Sequence, residues 1–391
     1  MKRLLIVITI LLLSTSLLAQ SKPRARALGV PFDGTPGQNN SITDVKGVEV
    51  GYSTIIAGDG QLVVGKGPVR TGVTAILPRG QDSRMKSVFA GWYSHNGNGE
   101  MTGTAWLEEG GFLEGPVMIT NTHSVGVVRD AVVAWRVQNG TADPTGYYWS
   151  LPVVAETWDG VLNDINGFHV KPSHVVEALR NAKPGAIAEG NIGGGTGMIC
   201  YGFKGGTGTS SRRLTEKAGG YTLGVLVQAN HGAKRQLTIA GVPVGRELLE
   251  GQQTSNGHWR EQQDLGSIII VVATDAPLLP HQLKRLARRA TMGLARTGAT
   301  SGNGSGDIFL AFSVANPDAA KEEGVAQLQM LPNDQLSAIF EATVQATEEA
   351  IVNALVAAET MTGINGTKIT ALPHDRLQQV LRKYNRFEKP N

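Results

Sequence analysis

Gly266 and Ser267 stand immediately before Ile268-Ile269-Ile270-Val271-Val272, a run of β-branched residues two-thirds of the way along the chain. Cleavage between them leaves a chain that begins with Ser267, with a hydroxyl and a free α-amine on one residue. An α-amine has an ordinary pKa of about 7.7–8.0, so at neutral pH it can act as general base for its own hydroxyl. That is the N-terminal-nucleophile arrangement, which needs no separate histidine. A buried strand after the serine would hold it at the end of a sheet. The alternative for this segment alone is a turn entering a core strand.

Three further groupings bear on that choice. Ser301-Gly302-Asn303-Gly304-Ser305-Gly306-Asp307 is a glycine-rich turn opening onto an apolar run. Its Ser305 and Asp307, two apart, fall on one side of an extended chain and could together hold an N-terminal amine. Asn230 comes where an apolar run meets a glycine, and its amide could donate to an oxyanion. Glu156 follows the apolar run at 152–155 and could bind a substrate ammonium. Taken singly, each also has an ordinary reading as a turn, a capping amide and a surface acid.

Other chemistries find no support. There is no His-Glu-x-x-His, the eight histidines are not paired as in a zinc site, and no Gly-x-Ser-x-Gly elbow occurs. The runs 193–197 and 204–208 look like phosphate loops but fit neither Gly-x-Gly-x-x-Gly nor the P-loop spacing; turns and close backbone contacts account for them. A single cysteine, Cys200, excludes an intramolecular disulfide.

Lys2 and Arg3 precede an apolar run at 4–13, and small and apolar residues follow to Gln20. This is too short to span a bilayer and reads as a secretory signal, so a bacterial periplasmic location is expected. Its removal lowers the net charge from +3 to +1, which leaves no basic excess to argue for nucleic acid. Fifty glycines, nearly twice the ordinary share of ~7%, imply many tight turns and close backbone approaches.

The elements that must position these residues can be read from the apolar pattern. Strands are expected near 47–55, 72–77, 116–120, 152–155, 221–228, 268–273 and 307–314. Helices are expected at 125–137, with Thr122-His123-Ser124 as a cap, and at 173–182, 280–297 and 372–384, with a long one beginning near Asn333 or Asp334. The polar tract 250–264 reads as an exposed loop in which a chain can be cut and its ends then part. Strands and helices interleave throughout, so the class is α/β or α+β.

Together these segments resemble the L-aminopeptidase/D-esterase family, which includes the β-peptidyl aminopeptidases. The likeness runs from about Gly29 to Thr362 and is most specific at 149–170, 190–212, 225–232, 266–277 and 302–316. It implies a precursor that, with the signal at 1–20 removed, cuts itself at Gly266–Ser267 into fragments 21–266 and 267–391 of one domain. It also implies a four-layer αββα sandwich like that of N-terminal-nucleophile hydrolases, and a homotetramer of cleaved heterodimers. By the same likeness Ser267 is the nucleophile, Ser305 and Asp307 orient its amine, and Asn230 serves the oxyanion hole. Glu156 holds the substrate's free amino terminus, Tyr147 is an aromatic wall and Trp158 lies beside the pocket.

The chain departs from some members in having Asp307 rather than Glu and Trp158 rather than Tyr, differences that bear on substrate preference. The expected activity is release of N-terminal residues, whether L-α, D-α or β, from small peptides, amides or esters, without metal or cofactor. Two alternatives remain: an acyltransferase of the ornithine acetyltransferase type, for which Thr207 is the local candidate nucleophile, and a periplasmic binding protein without catalysis.

Overall fold

The computed structural model describes residues 22–84, 86–140, 145, 149–249, 266–321 and 323–389. In chain order its strands are β1 (Glu49–Ala57), β2 (Val69–Gln81), β3 (Val88–Gly97), β4 (Phe112–Leu113), β5 (Val117–Asn121), β6 (Val153–Thr157), β7 (Ile199–Cys200), β8 (Phe203–Lys204), β9 (Gly206–Arg213), β10 (Thr222–Asn230), β11 (Ser267–Thr274) and β12 (Gly306–Ser313), followed by a short pair, β13 (Met361–Thr362) and β14 (Lys368–Ile369). They build a four-stranded sheet in the order β1-β2-β5-β6 and a six-stranded sheet in the order β4-β3-β12-β11-β10-β9, with β7 and β8 as a small hairpin.

Side-chain alternation along the central strands reports the layers. On β11, Ile268, Ile270 and Val272 enter one core and Ile269, Val271 and Ala273 the other. The first core packs the six-stranded sheet against the helices Pro280–Arg296 and Ser337–Ala357; the second fills the space between the sheets. On the four-stranded sheet, Val73, Ala75, Leu77, Met118 and Val154 turn outward to a third core under the helices Val125–Asn139 and Pro172–Arg180. The result is the expected αββα sandwich. A strand packed between two apolar cores favours a continuous apolar run, and each fully buried Ile or Val contributes about 1.5–3 kcal/mol. This is why 268–273 could be recognised from sequence.

Two apparent phosphate loops take different forms. Gly193–Gly195 is a buried 3-10 turn, as close backbone contact suggested. The 204–208 run is not a loop at all, because Gly206–Arg213 is a full strand. Its glycines serve packing: a Cβ on Gly208 would stand 2.1 Å from the Ala350 carbonyl oxygen of the long helix. Thr207, the acyltransferase candidate, therefore lies within a strand, and its hydroxyl donates to the Ile192 carbonyl. The expected loop at 250–264 lies outside the described residues.

Candidate active site

Ser267 is the first residue of β11, with β10 on one side and β12 on the other. The register sets Asn230 opposite Ser267 on the antiparallel side and Gly306 opposite it on the parallel side. Three segments far apart in sequence thus meet at one sheet end. The Gly306 N–H faces both the Gly266 carbonyl oxygen, at 3.1 Å, and Ser267 Oγ, at 3.2 Å. Beside it the buried Ser305 hydroxyl donates to Asp307 Oδ1 at 2.7 Å. These two groups were expected on one side of the strand, and they are. The loop that carries Ser305 is held by amides not singled out in the sequence: Asn96 donates to the Ser301 and Gly302 carbonyls and Asn98 to that of Gly304.

Gly266 has a physical reason to be glycine. Its φ of +154° is one that residues with a side chain rarely adopt, and a Cβ there would lie 1.8 Å from the Asn230 carbonyl oxygen. The peptide group before Ser267 is therefore pressed against the end of β10.

Asn230 is the last residue of β10, a strand that runs two residues past the end the apolar run suggested. Its side chain is held at both ends: Oδ1 accepts from the Ile199 N–H at 2.8 Å and Nδ2 donates to the Trp158 carbonyl at 2.9 Å. An amide nitrogen carries two hydrogens, so one is left for a second acceptor.

Glu156 corrects its ordinary reading, since it is no surface acid. The strand β6 continues through it to Thr157, and its side chain is buried. Oε1 accepts from the Glu100 N–H at 3.0 Å and Oε2 from the Thr122 hydroxyl. Thr122 is thus a carboxylate partner; the helix that follows has Ser124 at its N-cap and no side-chain capping bond. Gly99 sits between the acid and the sheet end, since a Cβ there would stand 3.2 Å from Glu156 Oε1 and 3.3 Å from the Gly306 Cα. Burial raises the Glu156 pKa, while the Thr122 hydroxyl, the Glu100 N–H and the charge of His123 pull it back. Trp158, two residues on, leaves 40% of its surface in solvent. Tyr147 lies outside the described residues.

Asp159, next to Trp158, is a buried acid the sequence reading passed over. It accepts from the side-chain amides of Asn121 and Asn163, both at 3.0 Å, and burial pushes its pKa up to about 6. Among the described residues no three His, Cys, Asp or Glu side chains converge as a metal site.

Here the relatives of the chain become informative. The peptidase family S58 model matches residues 40–369. A beta-peptidyl aminopeptidase, BapA, of Sphingosinicella microcystinivorans is 58% identical over 377 residues, covering 93% of each chain. Among solved structures, the l-aminopeptidase d-ala-esterase/amidase of Ochrobactrum anthropi superposes with a TM-score of 0.86 at 50% identity, covering 94% of this chain and all of that one. It is described as a prototype for the serine aminopeptidases and a variant of the Ntn hydrolase fold. A Burkholderia sp. beta-aminopeptidase gives a TM-score of 0.83 at 46% identity, covering 92% and 99%. The fold is thus that of an Ntn hydrolase variant and the class that of a serine aminopeptidase. The chain belongs to peptidase family S58.

Proposed function

We propose that the chain cuts itself between Gly266 and Ser267 and that the freed Ser267 is the nucleophile of an aminopeptidase. The observation carrying this reading is the register that sets Asn230, Ser267 and Gly306 abreast, with the Ser305–Asp307 pair alongside. In the uncut chain the Ser267 hydroxyl attacks the Gly266 carbonyl carbon, whose oxygen already accepts the Gly306 N–H. The peptide C–N bond breaks, the nitrogen takes a proton, and water then hydrolyses the Gly266–Ser267 ester to leave the α-amine free.

In the cut enzyme that amine takes the hydroxyl proton as Oγ attacks the substrate carbonyl. Ser305 and Asp307 orient the amine, and the spare Asn230 Nδ2 hydrogen stabilises the tetrahedral oxyanion; a donor of this kind is worth ~2.7–4 kcal/mol. The amine leaves with the proton, and water releases the acyl group from Ser267. Glu156 holds the substrate ammonium. A substrate without that charge leaves a buried carboxylate unpaired, which selects for free amino termini.

The substrates are small peptides, amides or esters bearing a free amino terminus, with β-amino acid and D-residue derivatives suggested by the names of the relatives. We extend the reading to export, from the apolar run before residue 20, and to an assembly of cleaved heterodimers, from the family resemblance. The test is a denaturing gel with N-terminal sequencing, run beside hydrolysis of amino-acid p-nitroanilides. Two bands are expected, the smaller beginning Ser-Ile-Ile-Ile-Val. Fully active protein in a single uncut band would overturn the reading.

A further inference from the structure

Lys204 is wholly buried, and its ammonium donates to two backbone carbonyls, Met198 at 2.8 Å and Gly205 at 2.9 Å. Neither partner is a carboxylate. Taking an ammonium out of water costs several kcal/mol unless strong partners compensate, so a methionine or leucine would fill this place at less cost. The proposed chemistry gives the lysine no part.

The Met198 carbonyl that accepts from Lys204 belongs to the same peptide group as the Ile199 N–H, and that N–H donates to Asn230 Oδ1 at 2.8 Å. A continuous series of hydrogen bonds therefore runs from the ammonium through one peptide to the Asn230 amide. Hydrogen bonds in such a series strengthen one another, by roughly 10–30% each. A cation on the carbonyl makes the N–H a better donor, which draws electrons toward Asn230 Oδ1 and leaves the Nδ2 hydrogens more positive. The same bonds fix the plane of the amide, so its second Nδ2 hydrogen has one direction.

We propose that Lys204 is a positioning residue for the reaction, acting through the Met198–Ile199 peptide to orient and polarise the Asn230 amide toward the oxyanion. This rests on the oxyanion role of Asn230 proposed above. Lys204 touches no reacting atom. A purely structural role, closing the β7–β8 hairpin, predicts altered folding with unaltered turnover of whatever folds.

The test is steady-state kinetics on purified, processed Lys204→Met and Lys204→Gln. The amide acts on a charge present only in the transition state, so weakening an oxyanion donor by this ~10–30% should lower kcat roughly 2- to 8-fold in Lys204→Met with KM little changed. Lys204→Gln, which keeps a neutral donor, should lie between. In the double variant with Asn230→Ala, the Lys204 change should cost nothing further, because its route to the oxyanion is gone. Wild-type kcat in both folded variants, or losses that simply add, would overturn the inference. Unchanged kcat in Asn230→Ala alone would instead sink the role given to Asn230.

The wild type supplies a measurement that needs no variant to fold. Burial, with the charge of Lys22 acting the same way and Cys200 opposing, lowers the Lys204 pKa to about 7; His231 lies against Cys200, with Nδ1 3.9 Å from the sulfur. Losing the Lys204 proton removes the polarising charge before the Ser267 amine, at about 7.7–8.0, has fully deprotonated, so the rise in kcat should break off below the amine's own titration midpoint, read by 15N NMR of the labelled enzyme. A kcat that follows the amine's own titration and then stays level to about pH 10 would overturn the inference.

Discussion

Gly266→Ala adds one methyl group, and the structure fixes where it must go. The new Cβ would start 1.8 Å from the Asn230 carbonyl oxygen, and contacts of this kind do not fall below 3.0 Å, so the two must part by about 1.2 Å. The obstacle is backbone at the end of β10, hydrogen-bonded in the sheet, and no flexible side chain can swing aside. Alanine at a φ of +154° adds strain, of roughly 1–3 kcal/mol. The atoms that must move include the carbonyl that Ser267 is proposed to attack. Misplacing a reacting group by ~1 Å costs on the order of 100-fold in rate. Purified Gly266→Ala should therefore remain mostly uncut over a time course in which the wild type is fully processed, with peptidase activity tracking the cut fraction. The assay is densitometry of a denaturing gel, with circular dichroism to show that the uncut chain is folded. Processing of a folded alanine variant at the wild-type rate would refute the reasoning, because it would mean that the strained geometry before Ser267 has no part in the cut.

Other outcomes follow from the same site. Ser267→Ala should give one uncut chain without peptidase activity, and Ser267→Cys a slowly cut one, since a thiol can perform the same acyl shift; normal maturation of the alanine variant on a gel would assign the nucleophile elsewhere. Glu156→Gln should still process, because no substrate ammonium takes part. It should lose at least ~10-fold in kcat/KM toward free-amine substrates, a charged hydrogen bond being worth roughly 1.5–3 kcal/mol; equal turnover of free and N-acetylated substrates by the wild type would make Glu156 merely structural. Thr122→Val removes a donor that lowers the Glu156 pKa. The acid limb of kcat/KM should therefore move to higher pH, since the acid must be ionised to bind the ammonium; a limb that stays in place would separate Thr122 from the site.

The parts of the fold that were legible in sequence are those where one physical demand dominates. A central strand packed between two apolar cores favours an unbroken apolar, β-branched run, which Ile268–Val272 supplies. The helix Pro280–Arg296 showed its apolar stripe, and the Ser305–Asp307 spacing translated directly into a hydrogen bond. Where two demands compete, local pattern misled. Gly206–Arg213 is rich in glycine and serine because a helix lies almost against its backbone, and composition alone made that strand resemble a loop. Thr122 carries a good capping residue type, yet its hydroxyl goes to a buried acid brought in from 34 positions away. Glu156, Asp159 and Lys204 are charged residues in the interior. The Glu156 partners and Asn121 of Asp159 come from other segments, while Lys204 is held by backbone carbonyls that any sequence offers, so no local signal distinguishes the three from surface charges. Tertiary hydrogen bonds decide such cases, and only the folded chain displays them.

The N-terminal stretch gives the proposed cut a consequence for the protein's lifetime. Arg26 pairs with Glu349 at 2.8 Å, the Ala25 N–H donates to Asn353, and Arg212 also reaches Glu349. Burial alone would raise the pKa of Glu349, but Arg26 and Arg212 hold it below the ordinary value. These bonds, and the β10–β11 ladder, all run between the two pieces that cleavage makes. Before the cut, unfolding and refolding are events within one molecule. Afterwards the same contacts join two molecules, and once separated the pieces must find each other by diffusion, with β11 exposed as an apolar, aggregation-prone strand. The proposed cut would thus leave the native contacts in place but remove the easy way back. The mature enzyme endures for as long as its unfolding barrier holds, and its working stability becomes a rate rather than an equilibrium.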